Sequence, residues 1–327
     1  MAATELVASS DEGSSASRWT IRIFVLGAFA LTVWLCGPRA AAVLAARLQH
    51  TAQNSPSVVL DHVGFASRPE WLDKPLLLAV AGDLAPWLQD QIPILDEVAG
   101  TRLRDGLQSV PWVREAGIER VFPDQFRLRL ELRRPILAVH AGDGSKLCLV
   151  DKDCTALPWV DTPLPAVWLY KEGGPTTLRF EPGQPIVEPR IRAAAAIALE
   201  WRDELAPLVV HCPQLLEVDA TNLGERWMRG RNYPEIRVKL RRDDGEGVIF
   251  QYDRPVDSVL PRIPLRTKAT VLGKILGKHP GLHGLVAGDL RLINRWADYL
   301  QPRAEGVPDP DGPWTDIEPS QPTPRPR

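Results

Sequence analysis

Residues 109–135, SVPWVREAGIERVFPDQFRLRLELRRP, constrain the fold more than any other stretch of this chain. Phe126, Leu128, Leu130 and Leu132 share one parity; Arg127, Arg129, Glu131 and Arg133 share the other. Successive side chains leave a strand on opposite sides, so this pattern predicts a half-buried antiparallel strand. Pro111-Trp112 ends a helix before it, and Pro123-Asp124 supplies a turn. Pro135 stops the strand by removing a ladder donor. A surface hairpin of an α+β domain accounts for the whole stretch.

The N-terminus predicts a different environment. Residues 1–18 are rich in Ala and Ser and form a disordered cytoplasmic tail. No charge occurs from Ile23 to Pro38, and Phe24, Phe29 and Trp34 are among the apolar residues there. Sixteen helical positions span roughly 24 Å, a little short of the ~30 Å of a bilayer core. Arg22 and Arg39 bracket the run and can snorkel to the interfaces. A single transmembrane anchor over 19–47 is therefore expected, holding the rest of the chain outside the cytoplasmic membrane. A cleavable signal peptide, with its site in the Ala-rich residues 40–46, is the rival reading.

A polar tether at 48–57 leads to a first strand at 58–65. Ala99, Leu103, Gly106, Leu107 and Val110 then recur at helical spacing. Farther on, KLCLV at 146–150 reads as a strand running into a turn at Asp151. A helix from 191 to 205 puts Ala194, Ile197, Ala198, Trp201 and Leu205 on one face. Ile236, Val238 and Leu240 alternate with Arg237, Lys239 and Arg241 before the turn DDGEG and the strand VIFQY, which is a hairpin signature. A last helix near 266–278 turns Leu265, Ala269, Leu272, Ile275 and Leu276 inward, and a strand pair follows around 284–300. The Pro-rich residues 303–327 form a disordered tail.

Composition excludes more than it identifies. A net charge of −2 gives no basis for binding nucleic acid. Four cysteines are too few for a disulfide scaffold, although Cys148 and Cys154 flank a turn that a disulfide could close. His279 and His283 have zincin-like spacing, but Pro280-Gly281 breaks the helix between them. Asp151 and Asp153 start like a calcium loop that then lacks its Gly and its final Glu. No nucleophile elbow or phosphate cradle is present. The sequence thus nominates no catalytic residue, metal, cofactor or small-molecule substrate.

The wording L-x-x-V-P-W-V-x-x-A-x-I-x-R-x-F-P-D-x-x-x-L-x-L-x-x-R-R-P, from Leu107 to Pro135, closely resembles the POTRA domain of the bacterial cell-division family FtsQ/DivIB. The β-domain motifs of that family follow in order. Leu149-Val150-Asp151 resembles its first strand turn, Ile236–Tyr252 its basic hairpin, and Asp289-Leu290-Arg291 its last strand. Two departures concern turn geometry: Cys154 stands near a usual glycine, and Phe250-Gln251 replaces a Leu-Gly.

The resemblance implies an α+β fold: one N-terminal transmembrane helix, a small POTRA domain at 58–135, and a mostly antiparallel β domain at 136–302 with two or more flanking helices. It also implies a non-enzymatic divisome scaffold at the septum, linking early and late division proteins and helping to control septal cell-wall synthesis. Its partners would be proteins of the FtsB and FtsL type, besides the bilayer that holds its anchor. Family members bind these partners by extending a sheet edge, where unpaired backbone groups supply affinity. The edge expected here comprises Leu285, Val286, Asp289, Leu290, Arg291 and Leu292. Two other readings compete: a POTRA-bearing transport or envelope-assembly component, and a secreted enzyme or carbohydrate-binding module using some of the eleven tryptophans.

Overall fold

The computed structural model describes residues 38–55, 57–59, 68–88, 91–121, 125–169, 179–225 and 233–303 of the chain. Described residues within 1–62, 89–103 and 118–127 form one compact unit, and those within 63–88, 104–117 and 128–327 form another.

Helix α1, described over 38–53, is followed by β1 (Ser57–Val59). Helix α2 (Lys74–Leu84) starts where the Asp73 carboxylate accepts from the Leu76 N–H at 2.9 Å. That N-cap satisfies a donor the helix itself leaves free. Leu76, Val80 and Leu84 recur every four residues and are all buried. Strand β2 (Gln91–Pro93) pairs antiparallel with β1. Helix α3 (Glu97–Ser109) is capped by Asp96, whose Oδ1 accepts from Val98 and Ala99. Leu103, Gly106, Leu107 and Val110 are buried on the expected face. Gly106 is required there, because a Cβ would collide with the Trp87 indole.

The hairpin β3 (Val113–Val121) and β4 (Gln125–Leu132) forms its own two-stranded sheet. The two faces of β4 are as expected: Arg127, Arg129 and Glu131 are exposed, while Phe126, Leu128, Leu130 and Leu132 are only half-buried. Pro135 does not close the segment. It opens the next strand, β5 (Pro135–Ala141), a position where a missing donor is tolerated.

The remaining strands are β6 (Lys146–Asp151), β7 (Ala156–Leu157), β8 (Ala166–Leu169), β9 (Leu215–Asp219), β10 (Ile236–Arg241), β11 (Gly247–Asp253), β12 (Leu285–Asp289) and β13 (Gln301–Pro302). With β5 they make one nine-stranded sheet of order β13-β12-β11-β10-β9-β8-β5-β6-β7. The pairs β5–β8, β8–β9 and β11–β12 are parallel and the others antiparallel, so the sheet is mixed. Helices α4 (Pro189–Glu200) and α5 (Leu265–Lys278) share one core with this sheet. Val139, Val167, Val218, Val238 and Phe250 meet Ile191, Ile197, Val271, Leu272 and Ile275 there. Each such side chain contributes about 1.5–3 kcal/mol on burial.

The expected membrane anchor is not found among the described residues, and the uncharged run over 23–37 lies outside them. No helix among the described residues is long and apolar enough to cross a membrane. Helix α1 contains Arg39, Arg47 and His50, and its large apolar residues Val43, Leu44 and Leu48 are interspersed with alanines. Charges at that spacing deny the segment an unbroken apolar surface. Arg39 lies in this exposed helix; Arg22, Phe24, Phe29 and Trp34 lie outside the described residues. The fold class is therefore corrected to α+β with a mixed sheet and no transmembrane helix among the described residues.

Candidate partner-binding edge of the sheet

Strand β12 runs parallel to β11, with Ile249 opposite Ala287, Phe250 opposite Gly288 and Gln251 opposite Asp289. Gly288 has no room for a side chain. A Cβ there would press on the Phe250 ring and lie 3.2 Å from Leu300 Cδ2. Of the six residues expected at the edge, Leu285, Val286 and Asp289 lie in β12, Leu290 and Arg291 follow in a bend, and Leu292 comes just after it. Leu285 and Leu290 belong to the core, and the Leu290 N–H donates to the Gln251 carbonyl at 3.1 Å. The buried Asp289 carboxylate accepts from the Arg291 N–H at 2.8 Å and from both Arg291 Nε and Nη2. Arg291 Nη2 also donates to Gln251 Oε1, joining the bend to β11.

The expectation that β12 is a bare edge is corrected. Strand β13 pairs antiparallel on its outer side, with Pro302 opposite Leu285 and Gln301 opposite Ala287. The chain returns through a 3-10 turn at Trp296–Tyr299, and Leu300 settles against Gly288. The strand pair expected around 284–300 is thus β12 and β13, the second only two residues long and placed at Gln301–Pro302.

The turn joining β10 to β11 secures this end. Arg242 is 2% exposed. Its Nη1 donates to the Leu285 carbonyl at 2.7 Å, its Nε to the Asp244 carboxylate, and its Nη2 to Glu246. Arg303 approaches the same turn from β13, with Nη1 3.0 Å from Glu246 and 3.9 Å from Asp244. The far end of the sheet is also covered. Beside β7, Ala156 N–H donates to the Gln184 carbonyl, and Gly183 N–H donates back to the Ala156 carbonyl.

A second polar constellation escaped the sequence reading altogether. Glu200 ends α4 where the helix widens into a π-turn at Trp201–Leu205. Its carboxylate accepts from Tyr252 Oη at 2.5 Å and from Arg262 Nη1 and Nη2 at 2.8 and 2.9 Å. Lys268 is fully buried beside it, with Nζ 3.3 Å from Asp253 Oδ2 and 3.9 Å from the Tyr252 ring centroid. Burial works to raise the Glu200 pKa, but Arg262 and Tyr252 hold it below the ordinary carboxylate value. Burial also depresses the Lys268 ammonium, against the pull of Asp253 and Glu200, and raises the Tyr252 phenol. The cluster fixes the end of α4 to β11 and α5.

The excluded motifs resolve into ordinary structure. Asp151 accepts from the Asp153 and Thr155 N–H groups and from Arg133 Nη1 at 2.8 Å, which makes a turn rather than a calcium loop. His279 caps α5, and His283 Nε2 lies 3.6 Å from Asp243. Cys148, Cys154 and Cys212 are free thiols. Cys154 takes the left-handed conformation, φ 58°, at the turn after β6. No group of His, Cys, Asp and Glu among the described residues is arranged to hold a metal ion. No protein-family model matches this chain, and no curated protein matches it.

Proposed function

We propose that this protein is a non-enzymatic scaffold of the FtsQ/DivIB kind, working in the bacterial divisome through protein contacts. Partners of the FtsB or FtsL type would engage the β12 end of the nine-stranded sheet by strand addition. The observation that carries this reading is the shallow closure of that end. Beyond β12 the sheet continues for two residues only, whereas β12 itself is anchored by Arg242 and the Phe250 contact. Backbone groups of a strand so lightly covered are a natural template for another chain. The Leu107–Pro135 block and the order of the β-domain motifs along the sequence support the choice of family.

Co-purification tests the proposal. The full chain is mixed with the FtsB- and FtsL-like proteins of the same bacterium, and the complex is mapped by hydrogen exchange. A stable complex that protects residues 285–289 is expected. A folded chain that captures neither partner overturns the proposal, as does a complex that protects only the β3–β4 hairpin.

A further inference from the structure

Strand β13 is the least secured strand of the large sheet. It pairs with β12 over two residues, both exposed, and Arg303 extends the pairing by donating its N–H to the Gly284 carbonyl at 2.9 Å. The ion pairs of Arg303 with Glu246 and Asp244 join side chains that are each more than a third exposed. Water and salt weaken such pairs strongly.

The direction of the backbone matters more than its strength. Residues along a strand point their N–H and C=O groups alternately to either side. The Arg303 N–H faces β12, so the backbone of Pro302 faces outward, and proline has no N–H to offer. A strand added outside β13 would find no donor at Pro302, so replacement of β13 is favoured over extension beyond it.

We infer that residues 296–303 form a displaceable strap over β12, and that the incoming occupant is an extended segment with an aliphatic residue followed three positions later by a basic one. The aliphatic residue replaces Leu300 against Gly288. The basic residue replaces Arg303 at the β10–β11 turn, where Asp243, Asp244 and Glu246 outnumber the buried Arg242 guanidinium. This inference rests on the strand-addition reading of the β12 end and specifies both the partner's chemistry and what guards the site.

The probe is a fluorescent synthetic peptide with the strap's own sequence, WADYLQPR. In the wild-type full chain, amide exchange across 285–289 should exceed that of the antiparallel β10–β11 pair by at least tenfold, because the strap opens locally. An Arg303→Glu chain, whose strap is repelled by Asp244 and Glu246, should bind the peptide at least tenfold more tightly than the wild type. A peptide with Pro in place of its Gln should not bind, because it loses the donor aimed at β12. Equal protection of β12 and β10–β11, with no peptide binding to a folded Arg303→Glu chain, overturns the inference. A concentration-dependent dimer that exchanges straps also overturns it, since the occupant is then a second copy. Peptide binding without capture of FtsB- or FtsL-like proteins sustains the strap while rejecting the proposed partners.

Discussion

Arg242 lies almost wholly buried with its Nη1 2.7 Å from the main-chain oxygen of Leu285, tying the β10–β11 turn to the first residue of β12. The same guanidinium serves Asp244 and Glu246, so one planar fork meets three acceptors. A lysine ammonium cannot reproduce that fork. Arg242→Lys should cost about 2–3 kcal/mol in urea unfolding, the scale of lost hydrogen bonds to a charged group. It should also speed amide exchange at 285–289. A loss below about 0.5 kcal/mol would mean that the contact is incidental.

The parts of the fold that the sequence announces are those made by local pattern. Ile236, Val238 and Leu240 are fully buried, and Arg237 and Lys239 between them are half-exposed, so the hairpin follows from alternation alone. Helix α5 was equally legible except at Lys268, which occupies a core position. Nothing near it in the chain signals that burial. Its neutralising partners Glu200 and Asp253 come from α4 and β11, brought close only by tertiary packing. The parallel pairings of β8 were hidden for a related reason. Ala166–Leu169 is four residues long and pairs with strands reached through long connections. At the candidate site, Asp289-Leu290-Arg291 reads as strand in the sequence, but β12 ends at Asp289, because the buried Asp289 carboxylate takes the Arg291 N–H and turns the chain.

The Glu200 cluster allows a comparison between two buried charges. Glu200 accepts three good hydrogen bonds, and removing it takes the carboxylate from Arg262 and leaves Lys268 with Asp253 alone. Glu200→Ala should therefore cost about 3–5 kcal/mol. The Lys268 ammonium bears the desolvation and is held mainly by Asp253 Oδ2 at 3.3 Å, with Glu200 Oε1 farther off at 4.0 Å. Lys268→Met, which keeps the shape, should cost less than half as much in the same denaturant titration. The reverse ranking would show that Lys268 holds the cluster together.

Cys154 carries backbone strain that a glycine would relieve. At φ 58° an L-residue with a Cβ loses roughly 1–2 kcal/mol relative to its preferred conformations. Glycine avoids that strain but gains freedom in the unfolded chain, offsetting up to about 1 kcal/mol. Cys154→Gly should leave the melting temperature unchanged or raise it slightly. Cys154→Val, with a stiff branched Cβ, should lower it by about 2–4 °C. Equal losses for both would mean that the thiol's packing, rather than the backbone, decides this turn.

Glu217 gives the sheet a pH dependence of definite sign. It lies on β9 with Lys239 of β10 at 3.9 Å, and its side chain is 14% exposed. Burial pushes its carboxyl up to about 7, with Asp219 adding to the rise and Lys239 and Arg237 opposing it. The unfolded chain releases this proton near the ordinary value of 4.5, whereas the folded chain keeps it until about 7. Between those values the folded state binds more protons, so stability falls as pH rises through the window and levels off above it. At most about 3–4 kcal/mol is involved, taking 1.36 kcal/mol per pH unit. Glu217→Gln retains the shape without the ionisation. It should match the wild type at pH 4 and be more stable at pH 8, flattening the curve between. Parallel unfolding curves for the two proteins across pH 4–8 would show that Glu217 stays ionised and that Lys239 is an effective partner.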